Sequence, residues 1–290
     1  TMIWFFLSNG LINGSLIAIT ALGFAIVYNT TRIFHIAYAA LYTWAGYIFY
    51  WLYVINGFNF FLSVAIVAVF TVFLSILCEK LVYQPLSKKG RSPNTLMISS
   101  VGILIVLVNL IALIFGNTPR IFPHNGFDLS EFSFYFISGI PFISFIVFNL
   151  TMILFFIILK YSSLGIKTRA LRDDIQLSHV FGIDTYRLRY ILFGISGFLV
   201  AIAASFRSLD VGINPYVGLP VFIYAFVALV IGGIGRFEGP LLGGFILGIL
   251  QALVEYFVDN KWVMLVTFGI LMIFLIFRPE GLIPERKRVY

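Results

Sequence analysis

Long apolar runs recur along this chain, separated by short stretches that collect nearly all of its charge. They fall roughly at 3–28, 37–55, 58–80, 95–115, 142–160, 190–207, 217–234, 239–258 and 261–277. Each approaches the ~20 apolar residues that a helix needs to cross the hydrocarbon core of a bilayer. The pattern predicts an all-α, polytopic transmembrane bundle of eight to ten spans, forming one domain over 1–290. The count stays open at 37–53 and 218–248, which leave room for re-entrant or broken helices. Such backbone is allowed at membrane depth only where protein or water covers it.

Two connections are too long to be simple links. The one at 116–141 contains Pro119, Pro123, Gly126, Asp128 and Glu131 and reads as a polar cap on the outer surface. The other, 161–190, is the most hydrophilic segment of the chain and reads as an inner, cytoplasmic loop. Within it, Asp173 and Asp174 suit the first turn of a helix, where carboxylates satisfy free N–H groups and the helix dipole. Leu177, Val180 and Phe181 then share one face, and Gly182 is placed to stop the helix in a left-handed conformation. The expected product is a one-faced helix of about ten residues. Two readings stay open for it. It is either an interfacial helix with basic residues toward anionic headgroups, or a coupling helix seated in the groove of a soluble motor subunit.

Composition agrees with the membrane reading. Hydrophobic residues make up 61% of the 290 and charged residues only 11%, with a mean hydropathy of +1.03. A soluble domain keeps roughly a quarter of its residues charged, so this chain has too few to cover an aqueous surface. Its net charge of +7 sits in clusters between the runs, which is a signature of orientation and not of nucleic-acid binding. An outside N-terminus and an inside C-terminus place 16 of the 19 Lys and Arg residues inside, Arg286, Lys287 and Arg288 among them. The first run has no basic flank ahead of it and reads as a retained helix, not a cleaved leader.

Candidate chemistry is sparse. His35, His124 and His179 are isolated from one another and from Cys78, so neither a metal site nor a nucleophile–base pair is expected. Cys78 reads as a packing residue. The run GGIGRFEG at 232–239 lacks the Gly-Lys-Ser/Thr ending of a phosphate-binding loop, and no other stretch supplies it. The chain is expected to be no enzyme and to carry no cofactor, any ATP being bound by a partner. Glycines including Gly232, Gly235, Gly239, Gly243, Gly244 and Gly248 crowd around Pro240. They serve either close helix packing or a broken helix lining a path. Asn13 and Ser15 in the first run and Asn109 in the fourth either bond between helices or touch a passing solute. An ion-coupled secondary transporter, the rival reading, would need mid-span carboxylates, and the runs offer almost none.

Several segments together resemble a known family. They are NGLINGSLIAITALGFAIVY at 9–28, EKLVYQPL at 79–86, GINPYVG at 212–218, VIGGIGRFEGPLLGG at 230–244 and FRPEGL at 277–282. The loop with Asp173, Asp174, Leu177, Ser178, Phe181 and Gly182 is similar to the cytoplasmic signature of ABC importer permeases. On these residues the chain resembles the branched-chain amino acid ABC transporter permeases of LivH type. The resemblance implies a multi-pass subunit of a bacterial or archaeal cytoplasmic membrane, embedded in membrane lipid. It also implies two ATP-binding cassette subunits, a second permease (paralogous or identical) and an extracytoplasmic solute-binding protein as partners. The cargo implied is branched-chain or related small amino acids or amides. One stretch departs from the family: Ile36-Ala37-Tyr38-Ala39-Ala40 stands where His, Gly and Glu are usual, which makes Tyr38 a candidate for an altered path.

Overall fold

The structure, a computed structural model, describes residues 2–122, 139–278 and 280–283. Pro123, His124, Gly126, Asp128, Glu131, Pro279 and the Arg286-Lys287-Arg288 cluster lie outside the described residues. Among the described residues the elements are α1 (Met2–Thr31), α2 (Tyr38–Tyr50), α3 (Phe60–Cys78), α4 (Gln84–Lys88), α5 (Pro93–Phe115) and α6 (Gly139–Tyr161), then α7 (Ser163–Asp173), α8 (Ile175–Val180), α9 (Thr185–Val211), α10 (Gly218–Gly232), α11 (Gly239–Phe257) and α12 (Val263–Phe277). Wide π-helical turns extend α2 through Trp51–Ile55 and join α3 to α4 through Glu79–Tyr83.

Seven helical stretches among the described residues are long and apolar enough to cross a membrane. They divide by burial. The span of α1 is 89% buried and that of α9 72%, whereas those of α5 and α12 are only 11% buried. α1 and α9 therefore form the centre, and α5 and α12 turn most of their surface outward. A helix apolar all round belongs in a core or against lipid, and neighbours decide which.

The two open stretches are the informative ones. The Tyr38 hydroxyl donates to the Thr20 carbonyl at 3.0 Å, and Thr20 lies well before the end of α1 at Thr31, about 16 Å at the usual helical rise. α2 thus starts inside the bundle, after an extended connection at 32–37 that turns at Arg32, φ 55°. α10 starts inside too. Gly218 packs on the Ala39 carbonyl so closely that a Cβ there would collide with it, after a second connection at 212–217. Freed backbone groups are held on both: Ala37 N–H donates to Ser100 Oγ at 2.9 Å, and Ile213 exchanges two 2.8 Å hydrogen bonds with Arg120. Broken helices were an open possibility at 37–53; that stretch is helical to Ile55, and the break lies just before it, at 32–37, where helices on every side cover the exposed backbone.

The halves repeat one plan in opposite directions. A long helix (α1 or α9), an extended connection, a central helix (α2 or α10) and another long helix (α3 or α11) follow in order. α1 packs on α11 as α9 packs on α3, and α2 meets α10 between them. Transporters commonly use such inverted repeats.

The glycine run resolves into packing. α10 ends at Gly232 and α11 begins at Gly239, with a tight turn between. Gly243 rests on the Ala228 carbonyl of α10, while Gly244 and Gly248 rest on the backbone of α1 at Ala18 and Gly14. Gly248→Leu should lower stability by about 3 kcal/mol or abolish folding, whereas Gly102→Leu, with open space beside it, should be neutral. Thermal unfolding in detergent decides; equal melting of the two variants would remove glycine packing as a constraint.

Candidate functional site

One end of the bundle gathers α7, α8, the start of α9 and the α10–α11 turn. α7 enters tightly from α6: the Ser162 side chain accepts from Gly165 N–H at 3.3 Å, and Arg169 donates to the Leu159 carbonyl at 2.6 Å. The chain then breaks at Asp174, which is extended at φ −156°, ψ 118°. Its carboxylate accepts from Leu177 N–H at 2.9 Å, the arrangement by which Asp starts a helix in preference to continuing one.

This corrects the expected helix in two respects. α8 spans six residues, not about ten, and Asp173 is no part of it. Asp173 is the last residue of α7 and pairs with Arg172 at 2.8 Å. Gly182 does end the turn left-handed, at φ 76°, with Gly182 N–H donating to the His179 carbonyl and Ile183 N–H to the Ser178 carbonyl, both at 3.0 Å. Asp184 then caps α9 through Arg187 N–H at 3.0 Å. Two capped helix starts therefore bracket one glycine hinge.

The faces of α8 differ sharply. Val180 is 81% exposed and Phe181 77%, with Ile175 and Leu177 about half exposed beside them. Ser178 is buried, its hydroxyl donating to the Asp174 carbonyl at 2.7 Å, so it braces the helix and offers no outward surface. Four apolar side chains thus stand clear at the end of the bundle, outside every span.

Behind them α9 is clasped to the rest of the bundle. Glu79, 1% exposed, pairs with Arg189 at 2.7 Å. Arg189 also donates to Ser87 Oγ at 3.1 Å, and the Tyr190 hydroxyl donates to Gln84 Oε1 at 2.6 Å. The segment EKLVYQPL is therefore the receiving half of a clasp whose other half is α9. Tyr83 within it meets His35 Nδ1 at 2.8 Å. His35 lies in the connection after α1 and is fully buried there.

α7 is tied by a second latch. Arg172 donates to the Gly235 carbonyl at 2.8 Å, while Gly235 N–H donates to Asn29 Oδ1 of α1 at 3.0 Å. Gly235 adopts φ 102°, which only glycine takes readily. The C-terminal segment joins the same turn, Leu282 N–H and Ile283 N–H donating to the Ile231 and Gly232 carbonyls at 2.9 and 3.0 Å.

The six residues expected along a path do not converge. Gly235 sits in this end turn, and Gly232 packs on the Gly239 backbone. Ser15 is buried and donates to Ile12 of its own helix at 2.7 Å. Tyr38 is buried against Gly23 and bonded to Thr20. Asn109 lies on the exposed face of α5, donating to Ile105 at 2.7 Å. Asn13 borders a small cleft with Ile12, Leu16 and Arg207. Sequence reasoning missed Asn29, Glu79, Arg172 and Arg189. A charged residue at the edge of an apolar run was the visible signal for Glu79 and Arg189, but their pairing spans more than a hundred positions. Among the described residues no group of His, Cys, Asp or Glu is arranged to hold a metal.

The described residues form a multi-pass helical membrane bundle with broken helices and a short exposed apolar face at one end. Residues 6–276 match the family described as branched-chain amino acid transport system / permease component, and the chain belongs to that family. It is 30% identical to the high-affinity branched-chain amino acid transport permease BraD of Pseudomonas aeruginosa, over 98% of this chain and 97% of that protein. It is also 30% identical to LivH of Escherichia coli K12, over 97% and 96% respectively, and 28% identical to a probable LivH of Methanocaldococcus jannaschii, over 88% and 82%. Among solved structures, PsaBC from Streptococcus pneumoniae in complex with Fab aligns over 95% of this chain and 92% of that one, with a TM-score of 0.52 and 14% identity. That likeness concerns the fold. The chain is a transport permease and not an enzyme.

The clasp makes an energetic prediction. Glu79→Gln strands the Arg189 charge in a buried setting and should cost about 3 kcal/mol, whereas the double change Glu79→Leu with Arg189→Met should recover much of it. Melting of the purified variants tests this; a Glu79→Gln protein as stable as the wild type would show that the pair holds nothing.

Proposed function

We propose that this chain is the membrane permease of an ABC importer for branched-chain or related small amino acids. In this reading two ATP-binding cassette subunits bind the ATP, a second permease of LivM type or an identical copy completes the path, and an extracytoplasmic binding protein delivers cargo. The end that carries α8 faces the cytoplasm. The observation that carries the reading is the exposed apolar face of Ile175, Leu177, Val180 and Phe181. A short apolar helix outside the spans is unfavourable in water unless a partner or a headgroup layer covers it. Its neighbours favour a partner: α8 is capped at its start by Asp174 and stopped at its end by Gly182, and α9 behind it is clasped to α4 and the turn before it.

The mechanism follows from that rigidity. A motor subunit that receives Val180 and Phe181 in a groove moves α8 as it closes on ATP. Asp174 and Gly182 confine the flexing to either side of α8. The displacement passes through α9 by the Glu79–Arg189 pair and through α7 by the Arg172–Gly235 bond. One latch ends beside α3 and the other, through the Gly235 turn, on Asn29 of α1, so the bundle tilts as a body and exchanges which face is open. Family membership and the relatives named for branched-chain amino acid transport support the cargo class.

Two substitutions test the docking face. Phe181→Asp should reduce co-purification of the ATPase subunits by about tenfold or more. Gly182→Val, forced into a left-handed conformation that β-branched residues avoid, should abolish uptake and coupled ATP hydrolysis while insertion into the membrane persists. Normal coupled uptake in both variants would remove α8 from the mechanism. Uptake by the chain alone, driven by a proton or sodium gradient, would replace the importer by an ion-coupled transporter.

A further inference from the structure

At the end of the bundle opposite α8, the first third of α1, the start of α6 and the end of α9 enclose a small cleft. Its charged members are Arg207 and Asp210, one turn apart on α9, with Arg207 Nη1 2.8 Å from Asp210 Oδ2. Asn13 of α1 and Ser144 of α6 stand beside them, and Ile12, Leu16 and Phe148 make the apolar walls. Ser144 donates to the Ile140 carbonyl of its own helix at 2.8 Å. The Asn13 amide borders the cleft without a hydrogen bond among the described residues. The Tyr42 hydroxyl of α2 is buried without a hydrogen-bond partner among the described residues.

We infer that this cleft is a zwitterion-reading site, in which Arg207 takes the α-carboxylate of an amino acid, Asp210 its α-ammonium, and Ile12, Leu16 and Phe148 its aliphatic side chain. The inference rests on the importer reading and names the residues that select cargo within it. The chemistry matches group by group. A guanidinium suits a carboxylate geometrically, and a neutral amide supplies both donor and acceptor for what remains.

Two of the ion pairs among the described residues separate structure from recognition. Glu79 and Arg189 are sealed, at 1% and 11% exposed, and parting them would strand charge. Arg207 and Asp210 keep 32% and 29% of their side-chain surface exposed and touch through a single nitrogen. Such a half-solvated pair holds weakly, so a zwitterion can insert between its members and satisfy both at once.

The free space is only about 10 Å³, roughly one water, so the site is closed in this conformation. Opening requires α6 or the end of α9 to move. The end of α9 is stitched to the outer loop by the Arg120–Ile213 pair, which connects the site to whatever docks on that loop. Because only the opened fraction binds, the isolated chain binds its ligand more weakly than the opened site would.

The test uses the full chain alone in nanodiscs of phosphatidylethanolamine and phosphatidylglycerol, with tritiated L-leucine as probe. L-leucinamide, which lacks the carboxylate, and 4-methylpentanoate, which lacks the ammonium, serve as competitors. Wild type should prefer L-leucine to either by about tenfold. Arg207→Gln should lose the preference over L-leucinamide, and Asp210→Asn the preference over 4-methylpentanoate. The double variant, which leaves no unpaired charge, should lose both. A merely structural pair would weaken all three ligands alike and keep their ratios, and that outcome overturns the site. So does wild-type chain that binds no L-leucine at ten millimolar. Neither result depends on ATPase association, so failure of the importer reading is recognised separately.

Discussion

Backbone amides in hydrocarbon have no water to turn to, and that constraint governs this molecule. Most of the chain meets it by helix alone. Twice, at 32–37 and 212–217, the helix stops inside the bundle and the freed groups must be satisfied from elsewhere. Ser100 supplies the hydroxyl for Ala37, and Arg120 supplies a complete backbone pair for Ile213. These are the points at which α2 and α10 begin, and they meet there with Gly218 on the Ala39 carbonyl. A bundle interrupted at its centre can shear in a way that continuous helices cannot, which suits a body that exchanges its open faces.

Movement of that kind needs stiff handles. The end that carries α8 is bound by a sealed ion pair and by charge-assisted bonds to backbone carbonyls. The opposite end is held by an ion pair a third exposed and by one short backbone pair. The asymmetry fits the proposed reading, in which force enters where the links are rigid and cargo enters where they yield.

The class of fold was legible because a bilayer imposes length and apolarity on each span, and these are properties of sequence. The breaks at 32–37 and 212–217 fall immediately before the stretches 37–53 and 218–248 that the sequence left open, and no pattern there says whether a neighbour covers the broken backbone. The cap at Asp174 and the stop at Gly182 were readable as local chemistry. Asp173 was misplaced because two adjacent aspartates look alike until the backbone at Asp174 turns extended and assigns one to each helix.

By itself the sequence determined what depends on near neighbours: apolar runs, helix caps, the glycine hinge and the lack of a phosphate-binding loop. Tertiary structure decided what depends on distant ones. Glu79 with Arg189, Asn29 with Gly235, and Asn13 beside Arg207 come from separate runs. Nothing in an apolar pattern distinguishes a side chain facing lipid from one facing another helix, as Asn109 and Ser15 illustrate. Helix orientation about its own axis is set by packing against neighbours, and that packing exists only once the chain has folded.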